Sequence, residues 1–187
     1  MIPFKRRSIR LKPYDYSQTG LYFITICTHG SECFLGEIKN SKVVLNESGW
    51  MVTKTWSELP KRFSFVRLDS FIVMPNHFHG ILAFDAHKAE SSISPDKKLS
   101  GTADGSLPRV IQAFKSLSSK QFVQIRKQIP LPFSKLWHRN YYEHVIKHHV
   151  SLANIRKYIT ENLLKWEVDE HHPENVNKIR ANSKFAP

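Results

Sequence analysis

The alternating run from Phe65 to Phe84, FVRLDSFIVMPNHFHGILAF, limits the fold more than any other part of the chain. Two β-branched and aromatic stretches, FVRLDSFIVM and HFHGILAF, flank Pro75 and Asn76, residue types that turn a chain rather than extend it. The pattern predicts two strands joined by a tight turn, and so an antiparallel sheet. On the second strand His77 and His79 are two residues apart. A strand alternates its side chains, so both imidazoles share one face, roughly 7 Å apart. Two imidazoles so placed can grip one metal ion, or they can pack as ordinary histidines.

The remaining segments fit the same architecture. LYFITICTH (Leu21 to His29) is a further strand, and FLGEIKNSKVVLN a hairpin turning near Asn40 and Ser41. NESGWMVTKTWSELPKRF has helical spacing, with Trp50, Val52, Thr53, Trp56 and Leu59 as a buried stripe and Pro60 as its stop. LPRVIQAFKSLSSKQFVQIRKQ predicts a second helix that buries Val110, Ile111, Phe114, Leu117, Phe122 and Ile125. LWHRNYYEHVIK reads as an aromatic loop entering a short strand, and SLANIRKYITENLLKW as a last helix capped by Ser151. Residues 85–106 are rich in Ser, Gly, Asp and Lys and predict a flexible loop. The tail 167–187 is polar, with little regular structure expected. Antiparallel strands interleaved with helices give an α+β fold, one domain with helices packed on a sheet.

Composition narrows the partners. The 187 residues carry a formal net charge of +12, a balance that suits a polyanion, nucleic acid foremost. No run is long enough to span a membrane, and the basic N-terminus lacks the apolar core of a secretory signal, so a cytoplasmic location is expected. The spacing of Cys27 and Cys33 fits no zinc pattern, and both are expected to be reduced. The arm 1–13 holds Lys5, Arg6, Arg7, Arg10 and Lys12 without an acid. The polar side of the second helix holds Arg109, Lys115, Lys120, Arg126 and Lys127, also without one. A one-sign face repels itself unless a counter-charge sits nearby, and phosphates supply one.

On the last helix, Leu152, Ile155, Ile159 and Leu163 form one apolar stripe. At 100° per residue, Tyr158 projects about 105° and Asn162 about 65° from its centre, on the same flank. Spaced i and i+4, they stand one above the other and can line a cleft. A boundary tyrosine turning its hydroxyl to water fits the pattern equally well.

VMPNHFHGIL, WHRNYYEHVI and IRKYITENLLKW, with YDYSQTGLYFITICTHG upstream, together resemble the REP-associated tyrosine transposases. These are single-tyrosine members of the HUH endonucleases, named for two histidines around a hydrophobic residue. The resemblance runs in order from about Arg6 to Trp166. It implies a ferredoxin-like or RRM-like antiparallel sheet with helices packed on one face, a C-terminal catalytic helix, and a transposase domain over 1–166. It also implies that His77, His79 and Asn162 bind a divalent metal, Mg²⁺ or Mn²⁺, with Glu161 as the fallback for Asn162. Tyr158 would be the nucleophile, forming a 5′-phosphotyrosine link with single-stranded, hairpin-forming DNA of a bacterial genome. Arg139, Trp137 and Tyr142 in LWHRNYY join Lys5, Arg6, Arg7, Arg10, Arg109, Lys115 and Lys120 as candidate DNA contacts.

Tyr141 and Tyr142 are rival nucleophiles by residue type, but neither has a ligand at i+4. His144 lies near the motif, whereas His148, His149, His171 and His172 read as surface residues. Relatives include homodimers and monomers, and the sequence does not choose. A catalytically silent binding protein for structured single-stranded DNA is the alternative reading. An RNA-binding RRM is a weaker third, because the chain lacks an RNP-like run.

Overall fold

The computed structural model describes residues 14–85, 105–127 and 135–175. The arm with Lys5, Arg6, Arg7 and Arg10, and most of the expected 85–106 loop, lie outside the described residues. Strands β1 (Gly20–Cys27), β4 (Val66–Val73), β5 (His77–Phe84) and β6 (Tyr142–Ile146) form one sheet in the order β4-β5-β1-β6. All of its neighbours are antiparallel. The hairpin of β2 (Gly36–Lys39) and β3 (Lys42–Leu45) stands apart as a two-stranded sheet. Its turn residues Asn40 and Ser41 both have positive φ, 50° and 55°, the backbone that matches strand twist in a two-residue hairpin.

The expected α+β architecture is the one found, with helices on both faces of the sheet. On one face, α1 (Glu47–Ser57) and α3 (Leu107–Arg126) cover Ile24, Ile26, Phe78 and Leu82 with Val52, Trp56, Val110, Ile111 and Phe114. On the other, α4 (His149–Glu161) lays Leu152, Ile155 and Ile159 over Phe23, Ile81 and Ile146. Period-2 alternation explains the split, since Phe78 enters the first core while His77 and His79 face α4. Behind them Gly80 permits a close approach: a Cβ there would lie 2.6 Å from Trp56 Cζ2.

Four local expectations need correction. Trp50 is 64% exposed rather than part of the buried stripe. The buried side of α1 runs through Val52, Thr55 and Trp56, and a residue two positions before Val52 points about 200° away from it. Pro60 does not end the helical path. It sits in the first turn of a second short helix, α2 (Leu59–Arg62), where a missing N–H costs nothing. The last helix starts before Ser151, its first bond running from the Leu152 N–H to the His148 carbonyl. The last helix ends at Glu161 rather than Trp166, and a 3₁₀ segment, Asn162–Val168, leads to Asp169, which is buried although it lies in the stretch expected to be irregular tail.

Candidate active site

The site grows from the β1–β5 register. Thr25 pairs with His79 and Cys27 with His77 across the two central strands, so these side chains share the face beneath α4. His77 and His79 are 0% and 1% exposed, with ring centroids 4.6 Å apart. Their outer nitrogens are engaged. Thr25 Oγ1 lies 2.8 Å from His79 Nδ1, and Asn76 Oδ1 lies 2.9 Å from His77 Nδ1.

Proton positions follow from the network. Asn76 Nδ2 donates to the Ser31 and His171 carbonyls, so its Oδ1 can only accept. His77 therefore carries its proton on Nδ1 and presents a bare Nε2. Burial, then His171, holds the His77 imidazole down to about 4, and burial holds His79 well below its ordinary value. Both rings are neutral near pH 7, the form that ligates metal.

Helix α4 brings the remaining groups. Tyr158 Oη stands 3.4 Å from His79 Nε2, and its ring meets Phe23 edge-on at 6.0 Å. One turn later Asn162, 1% exposed, places Oδ1 at 3.3 Å from His77 Nε2 and Nδ2 at 3.4 Å from His79 Nε2. The four side chains expected to act together thus meet at one point. Burial, then Asp169 and Glu170, pushes the Tyr158 hydroxyl up to about 12, so it rests as a phenol. Beside it opens a cavity of about 550 Å³, lined in part by Phe23, Asn140, Tyr141, Tyr142 and His171. Among the described residues no group of three His, Cys, Asp or Glu side chains is placed to hold an ion. An ion here would need the Asn162 amide oxygen as its third protein donor.

An ion pair seats α4 on the sheet: Arg156 Nε donates to Asp69 Oδ1 on β4 at 2.8 Å. The Arg156 hydrogen bond holds the Asp69 carboxyl down to about 2, below its ordinary 3.8. The folded state therefore binds fewer protons than the unfolded state between these values. The pair's contribution is present above pH 4 and lost as pH falls toward 2. Thermal melts of wild type and Arg156→Met should differ by a constant Tm gap above pH 4, narrowing as the pH drops to 3. A gap independent of pH would show that the pair does not seat the helix.

Other candidates are scattered. Tyr142 is 56% exposed and lines the cavity, and Arg139 is exposed on the adjoining loop. Lys115 is half-buried, donating to the His138 and Arg139 carbonyls at 2.8 Å, so its ammonium anchors that loop. Trp137 is 5% exposed and donates to Ser118 Oγ at 2.8 Å, so its ring packs in the core instead of offering a stacking face. Arg109 and Lys120 are exposed on α3, away from the cavity lining. Glu161 lies between Lys157 and Lys165, at 3.7 and 3.4 Å. His144 is exposed and does not line the cavity. Cys27 and Cys33 are free thiols.

Sequence reasoning missed two tail residues. His171, expected at the surface, has its ring 4.8 Å from His77 and 6.3 Å from His79. Asp169, 8% exposed, accepts from Asn162 Nδ2 at 3.3 Å. Neither lies in a periodic stretch, and the polar composition around them resembles solvated chain.

Comparison with known proteins adds a family and a fold. No protein-family model matches the chain. A Haemophilus influenzae protein described as uncharacterized is 37% identical over 174 residues, 88% of this chain and 92% of that one. The chain belongs to the family of that protein. Among solved structures, a REP-associated tyrosine transposase bound to a REP hairpin has a TM-score of 0.54 at 14% identity, covering 84% of this chain and 74% of that one. That likeness shows a shared fold. A putative transposase from Deinococcus radiodurans has a TM-score of 0.47 at 17% identity, covering 81% and 95%. Among the described residues no helix is long and apolar enough to cross a membrane.

Proposed function

We propose that this chain is a divalent-metal-dependent transesterase that cuts and rejoins single-stranded DNA at hairpin-forming repeats through Tyr158. One observation carries the reading. The Tyr158 hydroxyl from α4 and the Asn162 amide just beyond its end converge on two imidazole nitrogens of β5, every contact being 3.3 or 3.4 Å.

The donor set fits a hard divalent ion such as Mg²⁺ or Mn²⁺. Two nitrogens and one oxygen leave positions open for phosphate oxygens. Bound there, the ion would polarise the scissile phosphate and favour ionisation of the phenol. The chain's own residues supply the orientation. Thr25 and Asn76 lock the imidazoles, and Phe23 braces the Tyr158 ring against the sheet. Tyr158 Oη attacks phosphorus as the bond to the 3′ oxygen breaks and the phenol's proton ends on that oxygen, giving a 5′-phosphotyrosine and a free 3′ hydroxyl. The link conserves the bond's energy for rejoining, so no nucleotide cofactor is needed. The +12 charge suits an anionic strand, and the cavity offers Tyr142 as a stacking surface beside the nucleophile. The hairpin bound by the transposase of like fold supports hairpin DNA as the substrate.

The test is covalent trapping on labelled single-stranded repeats that flank the gene. Wild type should form a denaturation-resistant adduct with Mn²⁺ and none with EDTA. His77→Ala should lose the adduct by about 10²-fold or more, since it removes a metal ligand outright. Tight binding without an adduct on any flanking repeat would make the chain a silent DNA-binding protein.

A further inference from the structure

The direction of the Asn162 amide decides whether its oxygen or its NH₂ faces His77. Its Oδ1 faces His77 Nε2 and its Nδ2 faces His79 Nε2. The imidazoles do not themselves impose this direction. His77 Nε2 is bare by the proton count above. His79 Nε2, flanked by the Asn162 amide nitrogen and the Tyr158 hydroxyl, is the acceptor for both when Nδ1–H donates to Thr25. A flipped amide would put its NH₂ against His77 and leave no oxygen there.

The choice comes from the other end of the 3₁₀ segment. Asp169 Oδ2 lies 3.3 Å from Asn162 Nδ2, and a carboxylate only accepts. Flipping the amide would press its oxygen against that carboxylate with no proton between them. Both residues are buried, at 1% and 8% exposure, so water cannot relieve the clash. Asp169 is itself held, because its Oδ1 accepts the His171 N–H at 2.7 Å. The His171 carbonyl is tied to the sheet by Asn76 Nδ2 at 2.6 Å.

We propose that Asp169 is a positioning residue that holds the Asn162 amide oxygen toward His77, completing a site of two nitrogens and one oxygen. The proposal rests on the metal-dependent reading above.

Two substitutions separate this role from simple packing. In Asp169→Asn, close in shape, the new side chain keeps its oxygen on the His171 N–H and turns an NH₂ toward Asn162. That NH₂ draws the Asn162 oxygen away from His77. In Asp169→Ala the amide has no enforced direction and an ion can still select its oxygen. Mn²⁺ affinity of the full chain, read from the EPR signal of free Mn²⁺, should fall roughly 10- to 100-fold in Asp169→Asn. It should fall less in Asp169→Ala, although Asp169→Asn should have the higher Tm. A merely structural role predicts the opposite affinity order. Unchanged affinity in Asp169→Asn, or weaker binding by Asp169→Ala than by Asp169→Asn, overturns the proposal while His77-dependent binding persists. Equal Mn²⁺ binding by wild type and His77→Ala overturns the metal reading and this role together.

Discussion

Replacing Tyr158 with phenylalanine should reduce covalent adduct formation by about 10³-fold or more, because it removes the nucleophile itself. Phenylalanine keeps the ring and with it the contacts to Phe23 at 6.0 Å and His79 at 5.2 Å. Only the hydroxyl oxygen, 3.4 Å from His79 Nε2, is lost. The variant should therefore fold, bind hairpin DNA and bind Mn²⁺ like wild type while failing to form the link. Gel analysis of labelled DNA, run beside an Mn²⁺ titration, separates the two properties. An adduct that survives in Tyr158→Phe moves the nucleophile to Tyr141 or Tyr142, which line the same cavity. Loss of metal binding along with the adduct would make the hydroxyl a structural group.

Trp56→Ala should be the most damaging core change, at about 3–5 kcal/mol. The indole is 0% exposed, with ring centroids 4.5 Å from Phe78 and 5.2 Å from Phe114. It also fills the space that the absent side chain of Gly80 leaves behind His79, so its removal opens a cavity at the back of the histidine strand. Its Nε1 is buried and finds no acceptor among the described residues, so its stabilising part is packing alone. Trp56→Phe should accordingly cost less than Trp56→Ala. Urea unfolding would show the loss as a lower midpoint at unchanged slope. A cost below 1 kcal/mol for the alanine variant would mean that α1 and α3 collapse into the gap and that the sheet does not depend on this ring.

Much of the molecule is legible from local pattern because local pattern is what creates it. Period-2 alternation produced β4 and β5, and with them the shared face of His77 and His79. Paired turn residues produced the Asn40–Ser41 hairpin, and a 3.6-residue period placed Tyr158 and Asn162 on one flank of the last helix. Alternation does not say which face a distant element will cover. Trp50 and Trp56 look alike in sequence, yet one is 64% exposed and the other 0%. Lys115 reads as a free cation, yet its ammonium is engaged by two carbonyls more than twenty residues away. Trp137 reads as a stacking platform until Ser118 and the core take it in.

The sequence by itself determined the strands, the helices and the faces on which His77, His79, Tyr158 and Asn162 stand, because each follows from backbone period and a few neighbours. Only the tertiary structure decided that these faces meet, and that Asp169 and His171 close the site from the tail. Those contacts join residues as many as 144 positions apart, as Cys27 and His171 are, and include single hydrogen bonds such as the one from Asn76 to the His171 carbonyl. A hydrogen bond of that kind requires two groups in one place and leaves no periodic trace in the chain that carries them.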